Sequence, residues 1–413
     1  MTSPAPPWSE RSVPAAGAGV NGRSYLDHAS TSPARPEVVA AMLEWMSGPG
    51  SGDPARVHSE GQMARAAIEE AREAVAALIG VRPRQCIFTS GATEAVNAAV
   101  WGAVRARAGG AITLPATEHS CVREASLRLA PVLGVGVDHL GRVDLGSYEA
   151  ALDRGAQEHG RVALAHCQWG NHEIATLQPV AGVVALASAR GVMTHVDAAA
   201  ACGHVPIDLA SLGADLVSIS AHKLGGPKGV GALIVAPGLR LEPLLVGGDQ
   251  ERGRRAGIEN TPAIVGFGVA ARLLTDGRAD GLADGQADGL MGTESSRARR
   301  QTELILEAVS QIPGSNPLGD PTKRLPHIVC VAIEGVEAEA VLLGLDQVGI
   351  AAHSGSACSS ESLAPSPVLE AIGVDAERSL RLSVGWSTTD HDIRTLVRAL
   401  PGVIEQLRAL RPH

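Results

Sequence analysis

The chain of 413 residues is 45% hydrophobic and 19% charged and carries a net charge of −9. That is long enough for two domains and has the composition of a soluble globular protein. No apolar run approaches the roughly 18 residues of a membrane span, and a pI near 5.9 argues against broad electrostatic binding of nucleic acid. Six scattered cysteines (Cys86, Cys121, Cys167, Cys202, Cys330 and Cys358) have no CxxC spacing. They suggest neither a zinc framework nor a disulfide scaffold, and fit a cytoplasmic protein.

The first 23 residues, rich in Pro, Ala, Gly and Ser, lack the basic start and apolar stretch of a secretory signal and are expected to form a disordered tail. Helical spacing of apolar residues predicts a helix over 60–78, followed by a short strand over 87–89 that ends in Ser90-Gly91. Further apolar strands are predicted over 162–165, 192–196, 216–219 and 230–235, separated mostly by helical or turn-like stretches. This alternation implies an α/β fold, with a mainly parallel sheet covered on both faces and ligands bound beyond the carboxyl ends of its strands. From residue 275 to 292 the sequence falls into Ala-Asp-Gly units, Ala279-Asp280-Gly281 the first of them, which predict a flexible surface insertion. The ladder lacks the bidentate Glu of a calcium loop, so no metal is expected there. Residues 24–274 then form a large domain. Residues 293–413 form a smaller one, with a helix near 297–311, a strand over 327–333, a helix over 338–348 and a final helix over 390–410.

Only three of the 35 basic residues are lysines: Lys223, Lys228 and Lys323. Arg cannot replace Lys where a neutral amine must form an imine. Ser220-Ala221-His222-Lys223 follows the strand over 216–219 and leads into Gly225-Gly226, which leaves room for a bulky group. Asp197 closes another strand 26 residues earlier. An amine and a carboxylate at the ends of strands that can be neighbours suit pyridoxal phosphate: the carboxylate keeps the pyridine nitrogen protonated, so that the ring can accept electrons. Alone, Asp197 reads as a helix cap and Lys223 as a solvated loop residue.

The run from Phe88 to Glu94 passes from a strand through a glycine turn into a helix, where the N–H groups around Ala92 and the Thr93 hydroxyl favour an anion such as a phosphate. It is also an ordinary capping sequence. His119 follows another short apolar strand, where it could stack on a planar ring and move protons. Asn171-His172-Glu173 adds polar groups at the same sheet edge. Cys358 sits in His353-Ser354-Gly355-Ser356-Ala357-Cys358-Ser359-Ser360, a small-residue segment in which an exposed thiol is a liability unless it reacts. Arg381 lies on an apolar strand, where it needs either a substrate carboxylate or a protein carboxylate as partner.

From Tyr25-Leu26-Asp27 to Thr388-Thr389, and most specifically around Lys223 and Cys358, these segments resemble the cysteine desulfurases of the NifS/IscS type, in the aminotransferase class V group of fold-type I enzymes. The resemblance implies a large domain on a mainly parallel seven-stranded sheet and a smaller α+β C-terminal domain with residues 24–34 packed on it. It implies a homodimer with active sites at the interface. Lys223 would bind the cofactor, Asp197 would pair with the pyridine nitrogen and His119 would stack on the ring. Ala92, Thr93, Ser220 and His222 would hold the phosphate, Asn171 would lie near the ring hydroxyl and the substrate, and Arg381 would bind the substrate carboxylate. Cys358 would take sulfur from L-cysteine as a persulfide and pass it to an acceptor protein.

The chain departs from the family pattern at several places. Ala200 stands where a glutamine is usual and Ile258 where a threonine would reach the neighbouring subunit's phosphate, while His28, His172 and His327 stand where asparagines are common. A selenocysteine lyase or another class V lyase would share Lys223 and Asp197, and a weakly active scaffold that binds a sulfur carrier would tolerate Ala200 and Ile258.

Overall fold

The computed structural model describes residues 22–48, 52–276, 289–354 and 365–410. In chain order, β1 (Ser24–Tyr25), α1 (Pro36–Ser47), α2 (Ser59–Leu78) and β2 (Cys86–Thr89) come first. There follow α3 (Ala92–Ala106), β3 (Ala111–Pro115), α4 (Ser120–Leu129), β4 (Val132–Val135), α5 (Leu145–His159) and β5 (Val162–Gln168). The next elements are α6 (Val180–Ala189), β6 (Met193–Asp197), α7 (Leu209–Leu212), β7 (Leu216–Ser220), β8 (Gly231–Val235), α8 (Gln250–Gly253) and α9 (Thr261–Thr275). Beyond the segment 277–288 lie α10 (Gly289–Ser310), β9 (Ser315–Pro317), β10 (Ile328–Ile333), α11 (Ala338–Gln347) and β11 (Ile350–Ala351). The chain closes with β12 (His353–Ser354), α12 (Pro367–Ala371), β13 (Ser379–Ser383) and α13 (Asp390–Ala409).

A seven-stranded sheet in the order β2-β8-β7-β6-β5-β3-β4 organises the larger part. Only β8 runs against its neighbours β2 and β7, so the sheet is mainly parallel, as the strand–helix alternation predicts. Its strands are almost wholly buried, because helices cover both faces and leave no polar side to alternate. On one face α2 presents Ala64, Ala67, Ile68, Ala71 and Val75 inward at helical spacing. Against it lies α9, whose Gly268 meets Ala71 so closely that a Cβ would lie 2.6 Å from the Ala71 Cα.

A second apolar cluster joins α10, α11 and α13 to β10 and β13 of a four-stranded antiparallel sheet, β12-β13-β10-β9. Leu26 belongs to this cluster, and β1 pairs in parallel with β11, Ser24 opposite Ile350. The first described segment therefore packs with C-terminal elements, more than 300 residues away in sequence. The boundary drawn at residue 292 moves: α10 begins at Gly289, so the end of the Asp-Gly stretch is helical and Met291 is buried against the large core. The rest of that stretch, 277–288, lies outside the described residues, as do the predicted tail up to residue 21 and Cys358. Among the described residues no helix is long and apolar enough to cross a membrane.

Candidate active site

The carboxyl ends of β5, β6 and β7 open into a cavity of about 550 Å3. Neighbouring parallel strands end in register there: Asp197 is the last residue of β6 and lies opposite Ser218 of β7, five residues before Lys223. Lys223 ends a short 3-10 turn directly after β7, which aims it over the sheet edge. The cavity wall includes Lys223, Asp197, His119, Ser220, His222 and Arg381, with Ser90, Gly91, Ala92 and Thr93 at one end. Strand register sets Asp197 beside the end of β7, and the packing of the second sheet adds Arg381, nearly 300 positions after Ser90.

At that end Gly91 caps α3, and the first helical N–H groups are free of intrahelical partners. Gly231 is needed beside it, since a Cβ would lie 2.7 Å from the Gly91 carbonyl carbon. The Ser220 Oγ is buried and has no hydrogen-bond partner among the described residues. A hydroxyl left so in a cavity wall costs roughly 1–3 kcal/mol unless a ligand accepts it. His222 contacts Thr31 Oγ1 through Nδ1 at 3.1 Å. Burial, and then the positive charges of Lys223 and Lys228, push its imidazole down to about 4. A hydroxyl, a neutral imidazole and a helix N-terminus form a donor set for a phosphate. An amine and a carboxylate across the cavity complete the requirements of pyridoxal phosphate, so the residues present fit that group.

Asp197 Oδ1 accepts from the Ala199 N–H at 2.9 Å and the Ser218 hydroxyl at 3.3 Å, which fixes the carboxylate. His119 is the N-cap of α4, and its Nδ1 accepts from the Cys121 N–H at 3.1 Å. The neutral ring therefore carries its hydrogen on Nε2. Arg381 is 4% exposed and already has a protein carboxylate: Nη2 pairs with Asp27 at 3.1 Å and donates to Ser30 at 2.6 Å, and Nη1 donates to the His172 carbonyl at 3.1 Å. Its Nε has no partner among the described residues. A substrate carboxylate would share this guanidinium with Asp27.

Asn171 is placed differently from the other residues singled out in the sequence. It is fully buried, its Oδ1 accepts from Glu173 N and Ile174 N at 2.8 Å, and its Nδ2 donates to the Thr117 carbonyl at 3.1 Å. The side chain braces the turn after β5 and is not in the cavity wall. Ala200 lines the cavity, whereas Ile258 is 64% exposed and outside it.

Three further groups had no sequence signal. Gln168 lines the cavity and donates to the Thr117 carbonyl at 2.6 Å. Cys121 also lines it, with Sγ 3.1 Å from His119 Nδ1; burial, then Asp197 and Glu118, push its thiol well above the usual range. Glu118, next to His119, is 3% exposed, and only the Gln168 backbone N–H approaches its carboxylate, without a well-formed hydrogen bond among the described residues. Burial and the nearby Asp197 push it up to about 8. Only a carboxylate before a helix start could have hinted at it, and such residues are usually solvated.

This sheet, with its lysine, carboxylate and anion cradle at the strand ends, defines a pyridoxal-phosphate-dependent enzyme of fold type I. Residues 24–396 match the family model described as aminotransferase class-V, and the chain belongs to that family. It is similar to "Cysteine desulfurase IscS 1" of Archaeoglobus fulgidus, 41% identical over 94% of this chain and 98% of the relative. A cysteine desulfurase of Cereibacter sphaeroides is 38% identical over 94% of this chain and 98% of its own. Among solved structures, a NifS-like protein superposes with a TM-score of 0.82 at 27% identity, covering 93% of this chain and 100% of that one. SspA in complex with cysteine gives 0.73 at 28% identity, over 87% of this chain and 98% of that one.

Proposed function

We infer that the protein is a cysteine desulfurase, which converts L-cysteine to L-alanine and retains the sulfur on Cys358 before passing it to an acceptor protein. The observation that carries this reading is the convergence of Lys223, Asp197, His119 and Arg381 on one cavity, in a chain alignable with cysteine desulfurases over 94% of its length. When bound, pyridoxal phosphate supplies an aldehyde for an amine and a ring that draws electrons from the substrate carbon skeleton. Lys223 would hold it covalently, Asp197 would keep a proton on its ring nitrogen, and Ser220, His222, Thr93 and the Ala92 N–H would hold its phosphate. His119, capped at Nδ1, presents a proton on Nε2 to the cavity. Arg381 orients the substrate by its carboxylate, and Gln168 offers a nearby amide in the wall where Ala200 offers none.

Cys358 lies outside the described residues, but the described residues on either side of its segment are held next to residues of the cavity wall, Arg381 and His172. His353 of β12 is paired with Arg381, and Ser366, the N-cap of α12, donates to Glu173 at 2.6 Å. The overall reaction breaks the Cβ–S bond of cysteine, forms a sulfur–sulfur bond on Cys358 and adds a proton at the alanine β-carbon. Atoms and electrons balance without an added oxidant. A second copy of the chain supports the site in this reading, since Leu245, Val246 and Ile258 are exposed apolar side chains, Leu245 beside Arg255 and Glu94.

The test is purification, an absorbance spectrum, and measurement of alanine and sulfide formed from L-cysteine with a reductant. Borohydride should then fix the cofactor to a peptide containing Lys223. No alanine from cofactor-loaded protein, or label on Lys228 or Lys323, would overturn the reading.

A further inference from the structure

The N–H groups of Arg381 set the terms on which any carboxylate can bind there. Nη2 is fully used, pairing with Asp27 Oδ1 at 3.1 Å and donating to Ser30 Oγ at 2.6 Å. Nη1 gives one N–H to the His172 carbonyl at 3.1 Å. That leaves the second N–H of Nη1 and the N–H of Nε, which is buried without a partner among the described residues. A guanidinium holds a carboxylate best through two parallel N–H groups. Both such pairs, Nε with Nη2 and Nη1 with Nη2, include Nη2. An incoming carboxylate therefore gains a two-pronged hold only by displacing Asp27 or Ser30.

The backbone of Asp27 is fixed. Tyr25 Oη donates to the Asp27 carbonyl at 3.1 Å and to the Thr31 carbonyl at 2.8 Å, and Asp27 forms a bridge with Ser383 at the end of β13. Ser30 Oγ donates to Asp27 Oδ1 at 2.8 Å, which makes the two side chains one unit on Nη2. Ser30 and Thr31 of the same turn line the cavity. Exchange of Asp27 for another carboxylate is thus the swing of a side chain on a turn that stays in place.

We propose that Asp27 is an internal rival of the substrate carboxylate: it occupies Arg381 in the empty site and weakens the binding of any α-amino acid there, the product L-alanine as well as L-cysteine. The identity of these two ligands rests on the desulfurase reading. A brace that only held Arg381 in position would act with the opposite sign, since its loss weakens binding. Two carboxylates on one guanidinium lie about 5–6 Å apart, and at an effective dielectric of about 30–40 their repulsion corresponds to about 10- to 40-fold in affinity.

The experiment uses full-length, cofactor-loaded protein and reads the dissociation constant of L-alanine from the cofactor absorbance, together with KM and kcat for L-cysteine. It compares wild type with Asp27→Asn, Asp27→Ser, Ser30→Ala and Arg381→Gln, and with Asp27→Asn combined with Arg381→Gln. Asp27→Asn keeps a polar partner for Ser30, and Asp27→Ser guards against one variant that merely fails to fold. The expected result in both is tighter L-alanine and a lower KM for L-cysteine, each by about 10- to 40-fold, with no rise in kcat. Ser30→Ala should shift both constants by a smaller factor, because a hydroxyl brings no competing charge. With Arg381→Gln present, Asp27→Asn should add nothing, as a rival acting through Arg381 requires. Unchanged or weaker L-alanine binding in the Asp27 variants, an equal gain in Ser30→Ala, or a gain that persists without Arg381 would overturn the proposal, as would L-alanine bound by none of the forms. The expected pattern with L-alanine, but no alanine made from L-cysteine, would sink the desulfurase reading alone.

Discussion

Acidification is the perturbation for which the fold gives the clearest magnitude. His28, His166, His195 and His327 are each no more than 2% exposed. Burial is the largest cause in every case, with neighbouring histidines adding to it for all but His195: His28 is pushed down to about 3, His195 to about 4, and His166 and His327 well below the usual range. His166 and His195 touch Nδ1 to Nδ1 at 3.0 Å, an arrangement that accepts no further proton between the rings. The unfolded chain, with histidines near 6.5, binds protons that the folded chain refuses, so this stability is present above pH 6.5 and lost as pH falls. Between pH 7.5 and 5.5 each such histidine costs about 1.4 kcal/mol; His204 and His222, mainly through burial, are each pushed down to about 4 and cost the same, which brings the six to roughly 8 kcal/mol. Glu118, raised to about 8, has the opposite sign: the folded state holds a proton there that the unfolded state lacks, returning roughly 2–3 kcal/mol over the same range. The histidines win, and the apoprotein should lose roughly 5–6 kcal/mol. Urea unfolding at constant ionic strength and protein concentration, at the two pH values, measures this. His28→Asn and His327→Asn should each remove about 1.4 kcal/mol of the loss. Equal or greater stability at pH 5.5, or variants that retain the full loss, would refute the reasoning.

The Cys358→Ala variant should form no persulfide yet still change the cofactor spectrum on adding L-cysteine, because Lys223 and Arg381 remain; persulfide at an undiminished rate on another cysteine would remove Cys358 from its role. Replacing Arg381 by Gln should raise KM for L-cysteine by roughly 10- to 150-fold, as expected for a lost charge-assisted hydrogen bond of about 1.5–3 kcal/mol, and an unchanged KM would mean that Arg381 serves only its protein partners. In Ile258→Thr, the added hydroxyl should increase pyridoxal phosphate affinity by up to a similar factor if Ile258 faces the cofactor of a second copy, measured by cofactor titration of the apoprotein. A weaker affinity would show that the backbone there is already built around the isoleucine. Deletion of residues 277–288 should leave the rate of alanine formation within about twofold, since loop length enters the closure entropy only logarithmically; loss of activity would show that the segment packs or reaches the site.

Local pattern was enough for most strands of the sheet, though not for its edge strand β4, and for the two residues nearest its edge. Val, Ile and Leu runs bounded by turn residues can be little else than buried strands in a chain of this length, and Lys223 and Asp197 directly follow or end such runs. A strand terminus fixes where a residue sits, because register and the carboxyl-end rule follow from chain direction alone. Sequence does not fix which way a side chain turns after that point. Asn171 and His172 are adjacent, yet Asn171 turns inward to brace its own loop and His172 faces the cavity. Partners that come from distant segments were equally hidden. Arg381 and Asp27 are 354 positions apart and meet because β13 and the segment after β1 pack together, and only that packing answers whether the arginine awaits a ligand or already has a carboxylate. Glu118 shows the same limit in electrostatic form: a carboxylate before a helix is ordinarily solvated, and its displacement to about 8 arises from the burial and the nearby Asp197 that only the assembled fold supplies.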